Sequence, residues 1–225
     1  MTQAYHHTSH ISSERTIFYT HSTDLSRRGQ ASLQASLRIS SLKYPSLHLR
    51  LPVKEDATAL LHLFSDDRNV QYDQSCSGLN NIDAASNLIQ DWQNVGQPLE
   101  RANVVVVVDE KVVGVSGLGW IGRRSDGMLI GDAGMMLDSR TRGKGYGYES
   151  LCMVIDHGFR VLAMQEVHVS CVDANTAFKG LMNTKFGFEA KRTPHDRFGN
   201  EWIWRITRKL WRGSRHSAEG RERDR

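Results

Sequence analysis

With 225 residues and a mass of 25.4 kDa, the chain is long enough for one domain with a sizeable core and too short to favour two large ones. The formal net charge of +4 and pI near 9.0 are mild, and part of the excess lies near the ends, at Arg15, Arg27, Arg28 and Arg38 and again at Arg208, Lys209, Arg212, Arg215, Arg221, Arg223 and Arg225. Solvated tails account for this better than a nucleic-acid footprint does, and no apolar run approaches the ~20 residues that span a bilayer. Cys76, Cys152 and Cys171 form no C-x-x-C pair, which argues against a disulfide framework or a zinc site and for a reducing, cytoplasmic setting.

Residues 1–46 are rich in Ser, Thr and His, poor in acids and without sustained period, so they read as a disordered extension. Their Arg and Ser content also suits a mitochondrial presequence leading to the matrix, although Glu14, Asp24 and the lack of a continuous amphipathic face count against that. Structure begins at Leu47, where LHLRLPV alternates as a half-buried strand until Pro52. Ala57, Leu60, Leu61 and Phe64 then repeat at helical spacing, with Glu55 and Asp56 at the favourable end. A second helix carries Ile82, Ala85, Ile89 and Trp92 on one face and stops near Gly96.

ANVVVVVDEKVVGVSGLGW reads as two β-branched runs joined at Asp109-Glu110-Lys111, and Arg123 to Gly127 turns the chain into a third run, MLIGDAGMML. After a glycine-rich basic turn, Tyr148, Leu151, Cys152, Ile155, Phe159 and Leu162 give a helix with one broad apolar stripe, His157 falling on its polar side. EVHVSCV is a strand, NTAFKGLMNTKFG a helix ending at Gly187, and FEAKRTP and EWIWRITRKLW close as two strands. The predicted domain spans 47–211, followed by a basic flexible tail, 212–225.

The turn RTRGKGYG sits between a strand and an amphipathic helix, a geometry that binds anions: the first helical N–H groups have no intrahelical partner and the helix dipole favours negative charge there. Glycines allow close approach and positive φ, and Arg142 and Lys144 add charge. A P-loop does not fit, because Lys144 precedes Gly145 and no Ser or Thr follows it; the dinucleotide fingerprint fails on spacing and on the antiparallel approach.

Arg142-Gly143-Lys144-Gly145-Tyr146-Gly147, with apolar Leu137 five positions upstream, resembles the cofactor motif of the GNAT superfamily of acyl-CoA-dependent N-acetyltransferases, and Asn175 through Gly187-Phe188 resembles the family's second motif. The order of elements is similar as well, and LHLRLPVKEDATALLHLFSDDRNV is closest to the branch with the ribosomal-protein N-terminal acetyltransferases. The resemblance implies an α+β fold of three-layer α/β/α type, with a mixed, mostly antiparallel sheet of about seven strands and about four helices. It implies acetyl-CoA as co-substrate, no metal, and an amine acceptor; a monomer and a homodimer are both compatible with it, and neither a membrane nor nucleic acid is called for.

Carried over by position, Arg142, Gly143, Lys144, Gly145, Tyr146 and Gly147 contact the pyrophosphate, Met136 and Leu137 border pantetheine and thioester, and an N–H near Met136 polarises the thioester carbonyl. Asp132, embedded in the cofactor strand, is the candidate base, acting directly or through water, with a solvent-facing or bulge-capping role as its alternative. Asn175 is a cofactor contact or simply a helix cap. The family's usual acid, a Tyr four residues before the terminal Gly, is absent: position 183 is Asn. That departure leaves a second reading open, a GNAT-fold protein that binds acyl-CoA with weak or no catalysis.

Overall fold

In the computed structural model, residues 37–41, 43–73, 79–96, 98–195, 199–217 and 220 are described. The strands are β1 (Arg38–Ser40), β2 (Leu47–Arg50), β3 (Ala102–Val108), β4 (Lys111–Arg123), β5 (Leu129–Leu137), β6 (Glu166–Val172), β7 (Lys191–His195) and β8 (Gly199–Thr207). The helices are α1 (Ala57–Ser65), α2 (Asp67–Val70), α3 (Ile82–Gln93), α4 (Tyr146–Arg160), α5 (Thr176–Gly180) and α6 (Arg208–Gly213). Among the described residues one sheet runs in the order β1-β2-β3-β4-β5-β6-β8-β7, and only β5 and β6 pair in parallel.

The valines of β3 explain the layering. Val104, Val106 and Val108 pack with Leu151, Ile155 and Phe159 of α4, while Val105 and Val107 pack with Leu60, Phe64 and Ile89 of α1 and α3. Alternation along a strand sends successive side chains to opposite faces, so an unbroken valine run belongs to a strand covered on both sides. At the start of α1, buried Asp56 accepts from Arg50 at 2.6 and 2.8 Å and from the Val53 N–H at 2.8 Å, fixing the helix on the end of β2.

The sheet gains β1, which pairs with β2 and lies within the segment expected to be an extension. The expectations for residues 1–36, presequence included, fall outside the described residues, as do Cys76 and parts of the two loops at 74–78 and 196–198. At the other end the last strand stops at Thr207, whose hydroxyl caps α6 by accepting from the Leu210 N–H at 3.2 Å. Trp211 is thereby turned into the core rather than continuing a strand. Beyond it His216 and Ser217 are buried, with His216 Nδ1 at 2.6 Å from the Tyr148 hydroxyl and Nε2 at 2.9 Å from the Phe186 carbonyl. Among the described residues no helix is long and apolar enough to cross a membrane.

His157 is half-buried rather than fully open to water as its helical position suggested. Its Nε2 is enclosed without a hydrogen-bond partner among the described residues, beside a cavity of about 10 Å³ lined by Leu37, Ile39, Val104 and Leu118. Burial pushes its pKa down from 6.5 to about 4. The neutral form is favoured in the fold, so this contribution is fully present above pH 6.5 and falls away as pH drops through 6.5 towards 4, where the unfolded chain binds more protons. Between pH 7.5 and pH 5, denaturant titrations should show the wild type losing about 2 kcal/mol more than His157→Leu. Parallel losses in the two proteins would remove His157 as the cause.

Candidate active site

The site is built where β5 and β6 part. They pair from Ile130–Glu166 to Ala133–Val169 and no further, although β5 continues to Leu137 beside β4 and β6 to Val172 beside β8. A wedge therefore opens in the middle of the sheet, between Gly134–Leu137 on one side and Ser170–Val172 on the other. Asp132 stands one residue below its apex.

Which backbone groups face the wedge follows from the ladder. The Asp138 N–H donates to the Val113 carbonyl at 2.9 Å, and the Ser116 hydroxyl donates to the Gly134 carbonyl at 2.9 Å, so even-numbered residues here point their amides towards β4. The Gln165 N–H donates to the Leu129 carbonyl at 2.9 Å, so odd-numbered residues point towards β6. Alternation then turns the Met136 amide into the β4 ladder and presents those of Met135 and Leu137 to the wedge. The amide of Met136, near which the sequence reading put the polarising N–H, thus faces β4, and its neighbours' amides face the wedge.

Above the wedge, Asp138 accepts from the Arg140 N–H at 2.9 Å and from its guanidinium at 3.0 and 2.6 Å, which holds the Asp138 carboxyl below its usual range. The chain then enters the glycine turn with φ of +79° at Gly143 and +86° at Gly145, the N-cap of α4. Such left-handed steps suit glycine and direct successive N–H groups to one concave side. The first intrahelical bond runs from the Glu149 N–H to the Gly145 carbonyl at 3.1 Å. At buried Gly147 a Cβ would lie 2.5 Å from Met135 Cε, so the helix start sits directly against the end of β5.

The Arg142 guanidinium bonds within the protein. Its Nε donates to the Leu137 carbonyl at 3.1 Å, and its NH2 donates to the Arg68 carbonyl at 3.0 Å and to Asn69 Oδ1 at 3.2 Å. The guanidinium thus ties the turn to α2, while the Lys144 side chain is exposed. Buried Asn69 is the hub: Oδ1 also accepts from the Ser139 N–H at 2.8 Å and Nδ2 donates to the Leu63 carbonyl at 3.0 Å. Nothing in the sequence distinguishes Asn69 from a loop Asn.

Asp132 is partly exposed on the sheet face that carries α1 and α3, as Met136 is. A bulge in β4 between Leu118 and Trp120 brings Trp120 opposite it, a common device for re-aiming a side chain beside a site. On β6, buried His168 lies opposite, with Nδ1 at 3.5 Å from Asp132 Oδ1 and Nε2 at 3.0 Å from Glu166 Oε2. Burial raises the Glu166 pKa, but the His168 hydrogen bond and Arg124 at 3.4 Å outweigh it, leaving the carboxyl below its usual range. His168 and Glu166 were not singled out from the sequence, since an alternating strand gives no sign of what lies on the next one.

Asn175 acts as a cap, its Oδ1 accepting from the Phe178 N–H at 3.1 Å. Asp173 fixes the same corner by accepting from Lys179 at 2.8 Å, Trp202 Nε1 at 2.8 Å and Arg192 at 2.9 Å, and its pKa is lowered to about 2, chiefly by Lys179 and then Trp202. Beyond α5 the chain widens into a π-helical turn, Leu181–Phe186, closed by the Gly187 N–H on the Met182 carbonyl. This buries Met182 and sets Asn183 Oδ1 to accept from Trp204 Nε1 at 3.0 Å. No phenol stands at position 183, and its amide oxygen is held by the core.

A mixed sheet parted at one parallel pair, with a basic glycine turn at the head of the gap, defines the class as an acyltransferase-type α+β fold. The family profile of the GNAT acetyltransferase domain matches residues 46–189, and the chain belongs to that family. No curated protein matches it in sequence. Among solved structures, RimJ from Mycobacterium smegmatis in complex with CoA-disulfide superposes with a TM-score of 0.66 at 14% identity, covering 80% of this chain and 90% of that one. RimL, a ribosomal L7/L12 α-N-protein acetyltransferase in complex with coenzyme A, gives 0.64 at 15%, covering 73% and 96%. MccE, a microcin C7 self-immunity acetyltransferase in complex with acetyl-CoA and AMP, gives 0.64 at 15%, covering 72% and 92%. At these identities the likeness is one of fold.

Proposed function

We propose that this protein transfers an acetyl group from acetyl-CoA to a primary amine, either a protein N-terminus or a small amine, within a ternary complex. The observation that carries the reading is the wedge between β5 and β6, which leads from the glycine turn to Asp132. CoA-bound RimL and RimJ and acetyl-CoA-bound MccE, which share the fold, support it. The pyrophosphate rests on the N–H groups of the glycine turn with Lys144 alongside. Pantetheine enters the wedge against the amides of Met135 and Leu137, and the Met135 N–H receives the developing oxyanion.

The attacking amine must be neutral. At pH 7 this costs about 1.1 kcal/mol for an α-amine but about 4.6 kcal/mol for a lysine, so an N-terminal or similarly weak amine needs less help. The nitrogen attacks the thioester carbon, its proton passes to Asp132 directly or through one water, and the tetrahedral intermediate expels CoA thiolate. His168 orients the Asp132 carboxylate, and the thiolate takes its proton from water, because Asn183 replaces the usual phenol. A reducing compartment such as the cytoplasm suits three cysteines that form no C-x-x-C pair.

The test is thiol release across peptides with free N-termini, lysine peptides, polyamines and small amines. Turnover with one acceptor class is expected, and Asp132→Asn should lower kcat about 100-fold while leaving CoA affinity unchanged. CoA binding without thiol release from any acceptor would support the acyl-CoA-binding reading instead. A kcat within twofold of wild type in Asp132→Asn would remove Asp132 as the base.

A further inference from the structure

The segment ahead of β2 lies before the family match at residue 46, yet it reaches the glycine turn. Ser41 anchors it. The Ser41 hydroxyl donates to Glu149 Oε1 at 2.8 Å in the first turn of α4, and the same oxygen accepts from the N–H groups of Lys43 at 3.0 Å and Tyr44 at 2.8 Å. Glu149 is fully buried, so the strap is tied to an immobile point. The Leu47 N–H donates to the Tyr44 carbonyl at 2.9 Å, closing the loop from its other end.

These bonds place the Tyr44 ring edge-on to Tyr146, the first residue of α4, with centroids 5.4 Å apart and planes at 82°. The Tyr44 hydroxyl abuts Gly145, and a Cβ there would collide with it. The hydroxyl has no hydrogen-bond partner among the described residues, and the Lys43 ammonium stands over the ring at 5.2 Å from its centroid. An O–H held over the N-cap of an anion-binding turn, with its donor unspent and a cation beside it, is positioned for a phosphate oxygen.

We infer that Tyr44 is a coenzyme-binding residue, donating its hydroxyl to the pyrophosphate of CoA at the Gly145 turn, with Ser41 positioning it. The inference rests on the assignment of CoA to that turn. It makes the segment preceding the family domain part of the cofactor site.

Calorimetry with CoA and 3′-dephospho-CoA on the full chain tests it, because both ligands keep the pyrophosphate. Tyr44→Phe retains the ring contact with Tyr146, so its melting temperature should match wild type while its Kd for both ligands rises about tenfold. Ser41→Ala, which frees the strap from Glu149, should give a smaller rise in the same direction. Unchanged or tighter CoA binding by Tyr44→Phe would overturn the inference, as would a loss confined to CoA, which would move the hydroxyl to the 3′-phosphate. If wild type binds neither ligand, the cofactor assignment itself fails.

Discussion

Gly145→Glu is expected to reduce CoA affinity by at least about 100-fold in calorimetry, three separate effects adding in one direction. The residue sits at φ +86°, where a side chain costs about 1–2 kcal/mol of backbone strain. Its Cβ would collide with the Tyr44 hydroxyl, displacing either the strap or the turn. A carboxylate there would also oppose the negative charge that the helix start attracts. Two comparisons separate these effects. Gly143→Ala, at φ +79° with open space around its Cβ, should weaken CoA by strain alone, about tenfold or less. Gly127→Ala, at φ +83° in the distant β4–β5 turn, carries similar strain and should leave CoA affinity untouched. Wild-type CoA affinity in Gly145→Glu would show that the coenzyme phosphates bind elsewhere.

Trp211→Ala is expected to cost about 3–5 kcal/mol of stability, the range for removing a large buried aromatic. Trp211 is only 1% exposed and packs among Phe159, Phe186, Phe188 and His216, with ring centroids 6.2 to 6.4 Å away. Its Nε1 also donates to Asp156 Oδ1 at 2.7 Å in the buried half of α4. Against a typical total of 5–15 kcal/mol the loss is a large fraction, and a fall in melting temperature of about 10 °C or more should accompany it. Trp211→Phe keeps part of the ring packing and loses the N–H, so it should fall between the two. A denaturant midpoint shifted by the equivalent of less than about 1 kcal/mol would mean that α6 and the residues after it are not integral to the fold.

What the chain encodes locally and what its packing decides are physically distinct. Features set by neighbours along the chain were legible: the β3 valine run, the β3–β4 hairpin, the glycine turn as the start of α4, and Asn175 as the residue before a helix. Each depends on side-chain period, turn conformation or capping, which act over a few residues. Strand β1 was not legible, because it is short and mostly exposed and exists through its pairing with β2. Helix α6 was read as strand because the alternation of EWIWRIT runs into TRKLW with no Gly or Pro to end it; the Thr207 cap and the packing of Trp211 decide otherwise.

The same distinction runs through the site. The sequence by itself determined that a basic glycine turn opens the long helix, that Asp132 lies in the strand leading to it, and that no Tyr occupies position 183. Only the tertiary structure decided which amides face the wedge, because N–H direction depends on which strand occupies each flank. It tied Arg142 to α2 through the Arg68 carbonyl and Asn69. It set His168 and Glu166 beside Asp132, and Tyr44 over Gly145 from a distance of a hundred residues in sequence. Hydrogen bonds between groups so far apart in the chain follow from packing and strand order, and a local pattern carries no record of either.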